Sequence, residues 1–212
     1  MTWGTVTHRA ERVLVLAQGP SFAQVKLSDV EQAQARGAFV VAVNQSIRYY
    51  PKPNAWITMD PSKLNRAMVA EARDGVAYYM AVPPHYGQPD APVKSHRKTP
   101  EPWVTYLLRM SHLSTLSEHP GRIHSKNSGR AALDLAYLMD AKRVALLGVD
   151  GQGANRWDGT ENGNLDDLSV WFRAALPQLE ARGVEVVNGS PLTAVDCFPV
   201  MDPAEALAWL VD

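Results

Sequence analysis

The sequence predicts a single α/β domain of the doubly wound type: a mostly parallel, Rossmann-like sheet with helices on both faces and a Pro-rich lid or insertion. Three observations lead there. Short apolar runs alternate with helical stripes five or six times, the pattern of a parallel sheet joined by crossover helices. Each run ends in a polar or glycine-bearing turn. The 212 residues, 46% hydrophobic and 20% charged, suit one substantial core without internal repeats.

The elements follow in order. Residues 12–17 (RVLVLA) read as a fully buried strand that turns at Gln18-Gly19-Pro20-Ser21. Phe22, Val25, Val30 and Ala33 give a helical stripe that stops at Gly37. Residues 39–43 (FVVAV) form a second strand, ending in Asn44-Gln45-Ser46. Residues 55–59 (AWITM) form a third, ending in Asp60-Pro61-Ser62 and followed by a helix over 63–73. Residues 76–82 make a fourth apolar run. From 83 to 102, six prolines argue against regular structure, and 83–125 as a whole reads as a lid or insertion, with 103–117 of mixed character. A helix over 128–139 presents Ala131, Leu135 and Leu138 on one face. Residues 143–148 (RVALLG) are the clearest strand, ending in Val149-Asp150-Gly151. A polar loop over 151–164, a helix over 166–182, a strand over 184–187 with its Asn188-Gly189-Ser190-Pro191 turn, and a short helix over 203–210 complete the chain.

Bulk properties narrow the function. A net charge of −1 gives no global pull on nucleic acid, so a polyanion partner needs a local patch. Such a patch exists at His96-Arg97-Lys98, with Lys94 and Arg109 near it in sequence. It reads as a solvated loop or as a contact to acceptor phosphates. The single cysteine, Cys197, excludes an internal disulfide and fits a packed thiol in a reducing compartment. The six histidines lack the close pairing of zinc motifs. No apolar run approaches the ~18 residues of a membrane span, and the N-terminus lacks a secretory signal, so a cytoplasmic location is expected.

The chemistry is expected where the strands end. In an open parallel sheet, the turns at 18–21, 44–45, 60–61, 150–151 and 188–190 gather along one edge, where such folds bind ligands. Small residues there admit a phosphate, and helix starts present free amides to it. Turn formation alone accounts for any single Gly, Asn or Asp; five at equivalent strand ends point to a site. Lys126-Asn127-Ser128-Gly129 opens the best-defined helix and is a second anion candidate, although capping alone explains Asn127 or Ser128. Neither a G-x-G-x-x-G fingerprint nor a P-loop is present, which disfavours ordinary NAD binding and ATPase chemistry.

The Gly19-Pro20-Ser21 turn, the Asn44-Gln45 pair, the Asn127-Ser128-Gly129 helix start and the phrase RVALLGVD resemble the bacterial sialyltransferases of glycosyltransferase family 42 and a wider set of phage and bacterial proteins. Short matches are spread over residues 13–192, with Asn188-Gly189-Ser190 similar to a turn near the family's C-terminus. The resemblance implies a transferase that needs no metal and binds a cytidine-type nucleotide sugar. Gln18, Gly19, Pro20 and Ser21 would line the nucleotide pocket; Asn44, beside Gln45, would reach ribose or phosphate. Ser128 and Gly129, next to Asn127, would hold ribose or base, and Asn188 and Ser190 would flank the crevice. The acceptor, a glycan or modified DNA, and any oligomeric assembly are left open.

The sequence also departs from that family. Its general base is a histidine before the last major helix, and no histidine follows His124. Asp150, Asp158, Glu161, Asp166 and Asp167 are the carboxylates available there; Asp150 and Asp158, with Asp60 after the third strand, are the catalytic candidates. The family's phosphate-binding tyrosines have no counterpart in this loop, where Arg156 and Trp157 are the clamp and stacking candidates, and Tyr78, Tyr79 and Tyr86 lie elsewhere. Asp60 and Asp150 end two strands and raise a rival, a Mg²⁺ site in a pyrophosphoryl or nucleotidyl transferase resembling the pterin diphosphokinase-like proteins. A non-catalytic nucleotide binder is the third reading.

Overall fold

The computed structural model describes residues 3–88, 90, 100–151, 165 and 167–212. It is an α/β Rossmann-like structure built on one eight-stranded, all-parallel sheet in the order β6-β5-β4-β3-β2-β1-β7-β8. The strands are β1 (Arg12–Leu16), β2 (Phe39–Val43), β3 (Ala55–Thr58), β4 (Ala77–Val82), β5 (Val104–Arg109), β6 (Arg122–Ile123), β7 (Arg143–Leu147) and β8 (Glu185–Asn188). The helices are α1 (Leu27–Ala35), α2 (Lys63–Ala67), α3 (Ser128–Leu138), α4 (Leu168–Arg173), α5 (Leu176–Ala181) and α6 (Pro203–Val211), with 3-10 turns at Pro20–Gln24 and Asn44–Arg48.

The continuous apolar runs follow from burial on both faces. In β1, Val13 and Val15 pack into the core beneath α3, α4 and α5, while Leu14 and Leu16 pack with residues of α1 and α6 on the other face. Each of these four side chains is fully buried, a contribution of roughly 1.5–3 kcal/mol per residue. Register is fixed on both sides of β1, where Leu14 lies opposite Val40 of β2 and Ala145 of β7. Helix α1 gives way to β2 at Gly37, whose φ of 98° suits glycine, and Asp140 takes the same left-handed conformation after α3.

The structure redraws several expected boundaries. Two strands, β5 and β6, come from residues 104–109 and 122–123, inside the segment read as a lid or insertion. Pairing of Tyr78 with Val104 and of Arg109 with Ile123 extends the sheet there. The helix expected over 63–73 ends at Ala67, because the Arg73 side chain donates to Ile47 O and Pro51 O and its amide to the Tyr78 hydroxyl, which turns the chain. The helix expected over 166–182 is two helices, with Pro177 in the first turn of the second. The first stripe breaks at Val25 and Lys26, which are extended. Among the described residues no helix is long and apolar enough to cross a membrane.

Candidate functional site

From β1 the chain steps outward strand by strand to β6, then returns to lay β7 against the opposite side of β1. The loops after β1 and β7 therefore diverge, and the crevice between them is where this architecture takes ligands. The two turns are locked together. Gly19 N donates to Gly148 O at 2.7 Å. Ser21 donates its amide to Asp150 Oδ2 at 2.9 Å and its hydroxyl to Asp150 Oδ1 at 2.5 Å. A Cβ on Gly19 would lie 2.1 Å from Asp150 Oδ2, so glycine is required there by close approach, since its φ of −65° is ordinary. Asp150 is 2% exposed, and burial pushes its carboxyl above the usual range although the Ser21 bonds pull it back. The geometry thus places Asp150 and Ser21 as the clasp that shapes the Gly19-Pro20 turn.

Next to the clasp, two side-chain amides have fixed orientations. Gln18 Oε1 accepts the Gln45 amide at 3.2 Å, which leaves Gln18 Nε2, on a residue 7% exposed, with no partner among the described residues. Asn44 stands at the end of β2 with φ of 54°, a conformation Asn tolerates. Its Oδ1 accepts the Thr58 hydroxyl at 2.7 Å, so Nδ2 is the atom left to donate to a ligand. Thr58 is itself held by Asn65 Nδ2 at 3.1 Å. Gln45 is turned inward, its Oε1 accepting from Arg48.

The wall at β3 and α3 is tied through Met59. Its amide donates to Ser128 Oγ at 3.1 Å, and its carbonyl accepts from Arg109 Nη1 at 3.1 Å. Asn127 caps α3, accepting from Gly129 N at 2.7 Å and Arg130 N at 3.3 Å, so the helix start is satisfied internally. Lys126 is exposed and lies 4.8 Å above the Trp171 ring. Asp60 is exposed; it accepts from Ser62 N and sits beside Arg109, whose proton affinity burial lowers and Asp60 sustains.

Asn188 and Ser190 lie behind the crevice and are fully buried. Ser190 Oγ accepts from Val149 N, and Asn188 Nδ2 donates to Val149 O, so both brace the strand end that carries Asp150. Asp60 and Asp150 end strands three intervals apart, roughly 14 Å at the usual spacing, too far for one ion to bridge. Among the described residues no group of three or more His, Cys, Asp or Glu is placed to hold a metal. Arg156, Trp157, Asp158, Glu161 and Asp166 lie outside the described residues. Sequence reasoning missed Thr58, Asn65 and the role of Arg109, whose signal was an arginine closing the apolar stretch VTYLL.

The fold is a Rossmann-like α/β arrangement, and it superposes on a glycosyltransferase of known structure. The MAf glycosyltransferase from Magnetospirillum magneticum AMB-1 superposes with a TM-score of 0.55 over 99% of this chain at 14% identity, a likeness of fold; this chain spans 38% of its length. The sialyltransferase CstII from Campylobacter jejuni, solved with the substrate analogue CMP-3FNeuAc, gives a TM-score of 0.48 at 12% identity over 92% of this chain and 87% of its own. No protein-family model matches, and no curated protein matches in sequence.

Proposed function

We propose that the crevice binds the nucleotide part of a nucleotide sugar and that the protein is a glycosyltransferase. The observation that carries this reading is the pair of oriented donors, Gln18 Nε2 and Asn44 Nδ2, on adjacent strand ends beside the switch point. They suit phosphate and ribose oxygens, with the Lys126 ammonium near the α3 start to offset the leaving phosphate's charge. In the transfer, an acceptor hydroxyl oxygen bonds to the anomeric carbon while that carbon's bond to phosphate oxygen breaks. The nucleotide leaves with the electron pair, and a base takes the hydroxyl proton. With Asp150 clasped by Ser21, Asp60 and Asp158 are the carboxylates proposed for that proton. No metal is required in this scheme, and the separation of Asp60 from Asp150 counts against the Mg²⁺ rival.

Calorimetry with cytidine and uridine nucleotides and their sugars, with and without EDTA, tests the reading. Binding is expected to be metal-indifferent. Asn44→Asp keeps the acceptor for Thr58 but replaces the donor with a charge, so affinity should drop at least tenfold, about 1.4 kcal/mol, with the fold intact. Failure of every nucleotide and nucleotide sugar to bind would refute the proposal. The engagement of both Asp150 oxygens by Ser21 favours one second reading, a binder without turnover, revealed by tight binding with no nucleotide release when acceptors are added.

A further inference from the structure

A surface pocket of about 510 Å³ lies along the β6 edge of the sheet and is lined by Thr115, Glu118, His119, Arg122 and His124 among others. Its groups are left with donors to spare. Arg122 is exposed and makes no side-chain hydrogen bond or ion pair among the described residues. His119 Nδ1 accepts Gly121 N at 3.0 Å, which puts its ring proton on Nε2. His124 Nδ1 meets Thr115 Oγ1 at 3.4 Å, leaving its Nε2 unbound. Behind them Arg130 is fully buried; Nε donates to Trp171 O, Nη2 to Ser114 O, and Nη1 has no partner.

One acid, Glu118, lines the pocket and a second, Asp134, lies behind it, and both are already engaged. Glu118 accepts from the Tyr137 hydroxyl and lies 3.6 Å from Arg182. Asp134, fully buried one helical turn beyond Arg130, accepts the amides of Ser117 at 2.7 Å and His124 at 2.6 Å. The His124 imidazole accordingly holds a proton less readily than usual. Burial is the main cause, followed by Arg130, Arg122 and His112, against a small opposing contribution from Thr115.

We propose that this pocket is an oxyanion site, taking a phosphate or carboxylate group that supplies the counter-charge Arg122 lacks and lies against the His119 and His124 rings. Resting on the glycosyltransferase reading, the group belongs to the acceptor. The pocket is linked through the chain to the β3 and α3 wall of the crevice by two routes. His124 is four residues from Ser128, a reach of at most about 14 Å. Ile123 also pairs with Arg109, which donates to the same Met59 that is bonded to Ser128. Anion binding here strengthens the charged form of His124, so occupancy is readable from that ring.

The test is a histidine-ring NMR titration at constant ionic strength, with His124 assigned through His124→Gln and inorganic phosphate or acetate as probe. Phosphate, acetate or both should raise the His124 midpoint in the wild type and in Asn44→Asp, the stronger probe naming the group. In Arg122→Gln the probe's affinity should fall roughly tenfold, as expected for losing a charge-assisted hydrogen bond. A midpoint that neither probe moves, or that moves equally in Arg122→Gln, overturns the site. A His124 response in a protein that binds no nucleotide leaves the oxyanion site standing and removes its role in sugar transfer.

Discussion

At the scale of single residues, the clasp between Asp150 and the β1 turn is the most demanding feature. Gly19→Ala would press a methyl group against Asp150 Oδ2 and Gly148 O, at 2.1 and 2.7 Å. Overpacking of this kind costs about 1–3 kcal/mol, so urea unfolding should show that loss in stability. The turn itself was legible, because Gly-Pro-Ser after an apolar run announces a bend. Its partner was not, since Asp150 meets Ser21 only after the chain has crossed the sheet. Asp134 gives a pH signature. Burial holds its carboxyl at about 6 against an ordinary 3.8, with Arg130 and the two amides pulling the other way. Between those values the native protein keeps a proton that the unfolded chain has released. The stabilisation is thus fully present below about pH 4 and is lost as pH rises through about 6, by roughly 3 kcal/mol. Urea unfolding of the wild type and Asp134→Asn from pH 4 to 7 checks this: the wild type's stability relative to the variant should decline across that window.

At the scale of elements, strands with two buried faces were the easiest to see. Uninterrupted runs such as RVLVL and RVALL have few other structural uses. β6 was invisible because two residues carry no periodicity, and its place depends on β5 beside it. Helix α3 was placed correctly, yet its charged residues carried a message that periodicity cannot supply. Arg130 and Asp134 stand one turn apart, a spacing ordinarily read as a solvent-facing ion pair, but α4 and the loop over residues 110–121 cover that face. The start of α3 was read either as an anion site or as an ordinary cap, and Asn127 caps it by accepting from Gly129 and Arg130. Asn127→Ala would orphan the amides of Gly129 and Arg130 and should cost about 1–2 kcal/mol, seen as a lower melting temperature.

At the scale of the whole molecule, the candidate site belongs to no contiguous stretch of chain. Gln18, Asn44, Asp60, Ser128 and Asp150 come from five separate regions, four of them following strands whose carboxyl ends the parallel sheet brings to one edge. The gathering of turns along one edge was foreseeable from the alternation of runs and stripes; which turn touches which was not, because sheet order is set by tertiary pairing.

The return of β7 to the far side of β1 governs how the protein comes into being. Arg12 must find Arg143, and Glu11 must receive the amides of Lys142 and Arg143, after five other strands have been strung out on the opposite flank. During synthesis β1 therefore waits with one ladder of amides and carbonyls unanswered until most of the polypeptide has emerged. Such long-range closure is slow, and a nascent chain halted before β7 carries an adhesive central strand with one edge open.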